Sequence, residues 1–404
     1  MILLLGTLDT KGDEYAFVRE LIHARGQQTF VVDLGVLGEP AFKPDIGASQ
    51  VAAAGGASLA DLRENGDRGA AVDAMTSGAR AITCELFSRG KVNGVLGLGG
   101  GGGTTMITAA MRDLPVGVPK VMVSTMASGN TAPYVDVKDI TMMYSVVDIA
   151  GLNPLSRRIL ANAAGAVCGM AEQSVPRAKD KPLIAATMFG VTTPCVTEAR
   201  RLLEAEGYEV LVFHATGSGG RAMEGLIGDG YFTGVLDVTT TEWADEVVGG
   251  VLSAGPDRLS AAGAKGIPQV VSVGALDMVN FGAADTVPGK FKRRRLYRHN
   301  ATVTLMRTTA RECAAIGERI AEKLNAAKGP VSLLLPLRGV SMIDADGQPF
   351  HDPAADEALF ESLREHVKPP VAIREIDAHI NDPACAKALV DELLQLLGTA
   401  AQRR

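Results

Sequence analysis

Cysteine is sparse and patternless in this sequence. Cys84, Cys168, Cys195, Cys313 and Cys385 show no CxxC spacing, so neither a zinc signature nor a disulfide framework is present, and a reducing compartment fits. No stretch approaches the roughly 18 continuous apolar residues that a membrane helix needs. The opening MILLLGTLDTKGDE lacks a basic segment before its apolar run and a small-residue cleavage pattern after it. It reads as a first buried strand, and a cytoplasmic protein without a membrane partner is expected. The net charge of −6 offers nucleic acid no global attraction, and none is expected as a partner. Neither a GxSxG elbow nor an HExxH motif occurs, and no covalent mechanism can be assigned.

What is abundant is a simple alternation. With 404 residues, 47% of them hydrophobic and 21% charged, the chain is long enough for two cores. Short apolar runs alternate with helical patterns, the signature of parallel strands joined by crossover helices. Strands are expected at Ile2 to Leu5, Thr29 to Asp33, Val92 to Leu98, Lys120 to Ser124 and Ile140 to Ser145. Helices are expected at Asp13 to Arg25, Arg68 to Arg89, Thr104 to Arg112 and Leu155 to Gln173. The polar segment Ser174 to Lys181 contains Pro176 and marks a boundary between domains 1–176 and 177–404.

The second half repeats the scheme, with strands near Pro182 to Ala186, Val210 to His214, Gly234 to Val238, Gln269 to Val273, Val331 to Leu335 and Val371 to Ile376. Its helices are expected at Thr197 to Glu206, Ala222 to Ile227, Thr308 to Ala327, Pro353 to Val367 and Pro383 to Leu397. The two halves also open alike in strand, turn, helix, glycine and strand. An α/β fold of two doubly wound domains with mainly parallel sheets follows, with an interdomain cleft at their carboxyl edges.

Five consecutive glycines, Gly99 to Gly103, stand between an apolar strand and Thr104-Thr105. Glycine lets a ligand approach the backbone and permits positive φ, and a helix start offers unpaired N–H groups, so an anion, above all phosphate, is expected there. The run lacks the Lys-Ser/Thr ending of a Walker A loop, and its bland alternative is a flexible turn. The first turn adds Thr7, Asp9, Thr10 and Lys11, which suit a phosphate or a water-held magnesium ion, or equally a helix cap and a solvated lysine. Ser124, Ser128 and Gly129 in a hydroxyl-rich turn are placed to complete the cradle. Asp33, ending a strand, occupies a position from which carboxylates contact ribose, or is itself a cap.

In the second half, His214 leads through ATGSGG to Arg221, a set suited to a carboxylate or phosphate, and Thr239-Thr240-Thr241-Glu242 repeats the theme. Glu375, Asp377 and His379 alternate in REIDAHIND, so a continuing strand would project all three on one face for acid–base work or a cation. His299, Asn300 and Asp277 are further candidates. Lys290, Lys292, Arg293, Arg294, Arg295 and Arg298 form a basic run that either clamps an anionic ligand, meets an acidic surface or stays solvated.

Several segments together, GTLDTKGDE, LGGGGGTTMITAAMRDLPVGVPKVMVSTMASGN, GLNPLSRRILANAAGA, FHATGSGGRAMEGLI, VLDVTTTE and LYRHNATVTLMRTT, resemble the ATP-binding module of the tomato mosaic virus resistance protein and its uncharacterised bacterial relatives. The resemblance covers nearly the whole chain. It implies two Rossmann-like domains, ATP with Mg2+ in the N-terminal half, and a homodimer, for which Ile159 to Met170 offers a small and apolar helical surface. Nucleotide contact carries over to the Thr7 to Lys11 turn, to the Gly99 to Thr105 loop with Gly100, Gly101, Gly102, Gly103, Thr104 and Thr105, and to the Ser124 to Gly129 turn. No catalytic residue carries over. Two other functions stay open: a hydrolase, lyase or ligase acting on a small carboxylated or carbonyl substrate through His214, His299, Glu375, Asp377 or His379, and a nucleotide-stabilised protein-interaction module.

Overall fold

The computed structural model describes residues 1–176 and 180–402. The expected linker, 174–181, contains residues 177–179, which lie outside the described ones. The chain divides into two compact units, Met1–Arg177 and Ala178–Arg404.

The first unit runs β1 (Ile2–Gly6), α1 (Leu8–Ala24), β2 (Thr29–Asp33), α2 (Ala48–Ala54), α3 (Leu59–Asn65), α4 (Arg68–Ser88), β3 (Gly94–Gly99), α5 (Gly101–Arg112), β4 (Lys120–Ser124), α6 (Ala132–Val135), β5 (Thr141–Tyr144) and α7 (Pro154–Glu172). Its five strands are parallel in the order β2-β1-β3-β4-β5. Successive residues of a strand face opposite sides, and both sides here are covered, which explains unbroken apolar runs in place of alternation. Leu3, Leu5, Val95 and Met122 pack with Val51, Met75, Ala79 and Ile107 from α2, α4 and α5. Ile2, Leu4, Leu96 and Val121 pack on the opposite side with Val18 and Ile22 of α1 and Leu160 and Val167 of α7.

The second unit comprises β6 (Leu183–Met188), α8 (Thr193–Ala205), β7 (Glu209–His214), α9 (Ser218–Asp229), β8 (Gly234–Thr239), α10 (Glu242–Val248), α11 (Ala261–Lys265), β9 (Gln269–Gly274), β10 (Met278–Phe281), β11 (Leu296–Arg298), β12 (Thr304–Arg307), α12 (Ala310–Asn325), β13 (Val331–Pro336), α13 (Pro353–His366), β14 (Ala372–Ile376) and α14 (Pro383–Gln402). Its six-stranded parallel sheet, β14-β13-β9-β8-β6-β7, places its first three strands as the first unit does, with the opening strand between the second and the third. A small antiparallel sheet, β10-β12-β11, is added to it. Among the described residues, no helix is long and apolar enough to cross a membrane.

Candidate functional site

The site begins with strand order. Because β1 lies between β2 and β3, the chain leaves β1 toward one side for β2 and returns on the other for β3, so the loops after β1 and β3 diverge and open a crevice. Tyr15 of α1 holds the divergence: its hydroxyl donates to Leu5 O, lies 3.1 Å from Leu98 O and accepts the Leu98 N–H at 2.7 Å. Burial pushes that hydroxyl's pKa well above the phenolic range. Gly6 makes room for the ring, since a Cβ there would fall 1.9 Å from it.

At this switch point lies a cavity of about 580 Å³, walled entirely by residues of the first unit. Its polar lining is Thr7, Asp9, Thr10, Lys11, Arg63, Asp67, Arg68 and the main chain of Gly66 and of Gly100 through Gly103. Its apolar lining is Leu34, Val36, Leu37, Leu62, Ala71, Val72 and Met106. The volume falls within the span of small-molecule sites, about 300–1,000 Å³.

The glycine run differs from its expected form. Helix α5 starts at Gly101 rather than Thr104, with Gly100 as N-cap, so three glycines lie inside the first turn. None of Gly99 to Gly103 has positive φ. Packing does not demand the later four either: a Cβ on Gly100, Gly101, Gly102 or Gly103 would meet its nearest neighbour at 3.7–4.0 Å, ordinary contact. Gly97 is the contrast, because its Cβ would stand 2.4 Å from Ile107 Cγ2. What the missing side chains of 100–103 leave bare is the cavity wall. No side chain caps α5, and its first turn closes through the Thr104 N–H onto Gly100 O at 2.8 Å. The preceding amides, at the positive end of the helix dipole, have no partner inside the helix.

The structure thus brings Thr7, Asp9, Thr10, Lys11 and Gly100 to Gly103 around one space, and leaves the other expected contacts off its wall. Thr104 and Ser124 are buried and share a 2.7 Å hydroxyl bond that ties α5 to β4. Thr105 bonds back to Gly101 O at 2.9 Å. Ser128 and Gly129 are exposed in the turn beyond, with the Gly129 N–H on Met126 O at 3.1 Å. Asp33 is a buried turn carboxylate: its Oδ1 accepts the N–H groups of Leu8 at 3.0 Å and Gly35 at 2.9 Å, while burial raises its pKa. Lys11 lines the cavity, yet its ammonium donates to Ile149 O at 2.5 Å. Helix α1 begins at Leu8, earlier than expected, and kinks at Lys11, where φ is −134°.

Three features of the site have no local signal in the sequence. Asp9 Oδ2 accepts the N–H groups of Leu37 and Gly38 at 2.8 and 3.1 Å, fixing loop 34–38. Arg63 of α3 fastens the same loop through Val36 O at 2.7 Å and Gly38 O at 2.8 Å. Arg68, exposed at the start of α4, makes no hydrogen bond or ion pair among the described residues. Its Nη2 lies 3.8 Å from where a Cβ on Gly102 would be. Helix α4 was expected at Arg68, but nothing local in the sequence says that its first residue faces a loop 34 positions later.

The second unit corrects several expectations. The His214 to Arg221 turn does build an anion site, but the protein fills it. Glu242 Oε1 accepts the N–H groups of Gly217 at 2.7 Å and Gly220 at 3.1 Å, and a Cβ on Gly220 would strike that carboxylate at 2.2 Å. The other oxygen, Oε2, accepts from buried Arg258 at 2.7 Å, and Arg258 also grips Asp237 and Glu224. His214 is exposed at the end of edge strand β7. Glu375, Asp377 and His379 do not converge, because β14 stops at Ile376. Glu375 pairs with Arg364 at 2.6 Å, Asp377 with Arg338 at 2.6 Å, and His379 Nε2 is 2.8 Å from Ser341 O. His299 and Asn300 lie in the exposed turn between β11 and β12, apart from these.

The basic run divides. Arg294 is bound to Glu312 by a two-point pair at 2.7 and 2.9 Å, Arg295 reaches His351 O and Arg298 reaches Asn300 O, while Lys290 lies 4.6 Å over the Phe291 ring. Lys292 and Arg293 are exposed. Asp277 is buried near a second cationic centre: its Oδ2 accepts from Ser341 at 2.8 Å, and its Oδ1 has no partner. Burial raises its pKa to about 6, and those of Asp344 and Asp356, both paired with Arg307, to about 7.

Fold and site together define a two-unit parallel α/β protein with a cavity at the switch point of its first sheet. Its residues 1–176 match the N-terminal domain, and residues 181–397 the C-terminal domain, of the Uncharacterised protein family (UPF0261). The chain belongs to that family. A UPF0261 protein of Clostridium tetani is 56% identical over 398 residues, 98% of each chain. A second, from Rhizobium meliloti, is 52% identical over 391 residues, 96% of this chain and 97% of that one. The ToMV resistance protein Tm-1(GCR237) of Solanum lycopersicum is 45% identical over 337 residues, covering 81% of this chain and 45% of the tomato protein.

Proposed function

We propose that the first unit binds a nucleotide, with ATP and magnesium as the leading ligand pair. One observation carries the reading: Gly100 to Gly103 expose main chain to a cavity for which neither their φ angles nor internal packing require glycine. The second unit supplies a precedent within the same molecule, since there the glycine-rich start of α9 accommodates the carboxylate of Glu242. A phosphate chain against the amides of α5, with Thr7 and Thr10 hydroxyls alongside, leaves the apolar residues of the lining to a base and sugar.

The donor set suits polyphosphate better than a bare cation. Of the lining carboxylates, Asp9 accepts two backbone N–H groups and Asp67 Oδ1 caps α4 through Gly69 and Ala70. Among the described residues, no group of three His, Cys, Asp or Glu side chains could hold a metal. Magnesium would therefore enter as the counter-ion of the phosphates. Calorimetric titration of the full chain with ATP and magnesium tests the proposal, and the absence of both heat and a thermal shift at millimolar nucleotide removes it.

A further inference from the structure

We infer that this site, on the reading just proposed, selects its ligand by the phosphate chain and not by the base, with Arg68 as the residue that grips the terminal phosphates. Among the polar lining residues, Arg68 is a cation without an internal partner among the described residues, and its Nη2 lies 3.8 Å from where a Cβ on Gly102 would be, beside the run whose amides would receive a phosphate. A guanidinium fork presents several N–H donors to phosphate oxygens, and this one gives up no existing bond to do so. The other cations of the lining are engaged, Lys11 with the Ile149 carbonyl and Arg63 with Val36 O and Gly38 O, which leaves Arg68 as the charge best placed to follow an extended phosphate chain.

The apolar residues of the lining bear on the base. Bases are told apart by hydrogen bonds to their edges, and a site discriminates strongly only when the wrong partner leaves buried polar groups unpaired. Here the apolar lining is aliphatic apart from Met106, and Arg63 and Asp67 in the same lining are engaged with backbone groups. The polar groups of the neighbouring loop are already used: Val36 O and Gly38 O accept from Arg63, and the Leu37 and Gly38 N–H groups donate to Asp9. A purine or pyrimidine laid on this surface gains apolar contact and meets few free donors or acceptors. Base identity therefore changes little, while each added phosphate brings charge toward Arg68 and the α5 amides.

The test is a set of titrations of the full chain, in magnesium, with ATP, GTP, CTP, inorganic triphosphate, ADP and AMP, repeated on Arg68→Ala and Arg68→Lys. The expected result is ATP, GTP and CTP within about fivefold of one another, and at least a tenfold loss from ATP to AMP. Arg68→Ala should lower ATP affinity at least tenfold, leave AMP affinity and melting temperature unchanged, and be partly rescued by lysine. ATP binding that exceeds GTP and CTP binding tenfold overturns the inference and leaves nucleotide binding standing. An equal loss of ATP and AMP in Arg68→Ala overturns the role of Arg68. If neither the nucleotides nor triphosphate bind, the nucleotide reading falls and the inference falls with it.

Discussion

Replacing Gly102 by alanine should move stability and ligand affinity in opposite directions. Gly102 lies in the first turn of α5 with helical, negative φ, and its added Cβ would meet only the end of Arg68 at 3.8 Å. Alanine removes backbone freedom from the unfolded chain and is favoured over glycine in helices by about 0.5–1 kcal/mol, less in a first turn than in an interior. For a unit of this size that corresponds to a rise in melting temperature of about 1–4 °C. The same methyl group adds bulk at a residue proposed to receive a phosphate, and a displacement that costs one charge-assisted hydrogen bond lowers affinity about tenfold or more. Thermal denaturation without ligand and calorimetric titration with ATP and magnesium read the two effects separately. Gly97→Ala is the control: its Cβ would fall 2.4 Å from Ile107 Cγ2 and 2.9 Å from Met122 Sδ, and overpacking should destabilise it by about 1–3 kcal/mol. A Gly102→Ala protein that is more stable and binds nucleotide as before refutes the argument that the bare backbone serves a ligand. One that is less stable refutes the reading of its conformation.

Three further outcomes follow from buried polar groups. Asp245, Asp344 and Asp356 have pKa values raised by burial to about 7, so the folded state holds more protons than the unfolded one between about pH 4 and pH 7. The stability of the second unit should therefore fall as pH rises from 5 to 7.5, and a flat or rising melting temperature would contradict this. Arg258→Met leaves Asp237, Glu242 and Glu224 without their shared cation and should cost about 3–5 kcal/mol in urea unfolding. Tyr15→Phe strands the Leu98 N–H between β1 and β3 and should cost about 1–3 kcal/mol, a loss that a stability equal to that of the parent protein would rule out.

The parallel sheets were readable because strands covered on both faces are continuous apolar runs: Thr29–Asp33 and Lys120–Ser124 have the expected bounds. Short helices such as Ala48–Ala54 and Leu59–Asn65 were not, because seven residues give too little periodicity. The antiparallel β10-β12-β11 addition was hidden by the charges around LYRHN, whose strand of three residues carries no clear alternation. For the site, position after β1 and β3 was legible from strand-then-turn order, and so were Thr7 and the glycines. Side-chain direction was not. Thr104, Ser124 and Asp33 have the right chemistry at the right strand ends, but each is turned to an internal partner. Arg63 and Arg68 come from a connection between β2 and β3 whose path depends on tertiary packing. REIDAHIND misled for a related reason, since period-two spacing places residues on one face only while the strand lasts.

Glu242 gives the two units different relations to their surroundings. The second carries its own counter-charge at the start of α9, supplied by the chain and present at a fixed stoichiometry in every solution. For the first unit, any anion seated at α5 is a matter of mass action, and each tenfold excess over its dissociation constant adds about 1.4 kcal/mol to the folded state. Heat-capacity scans taken at increasing nucleotide concentration should therefore show a ligand-dependent rise in melting temperature.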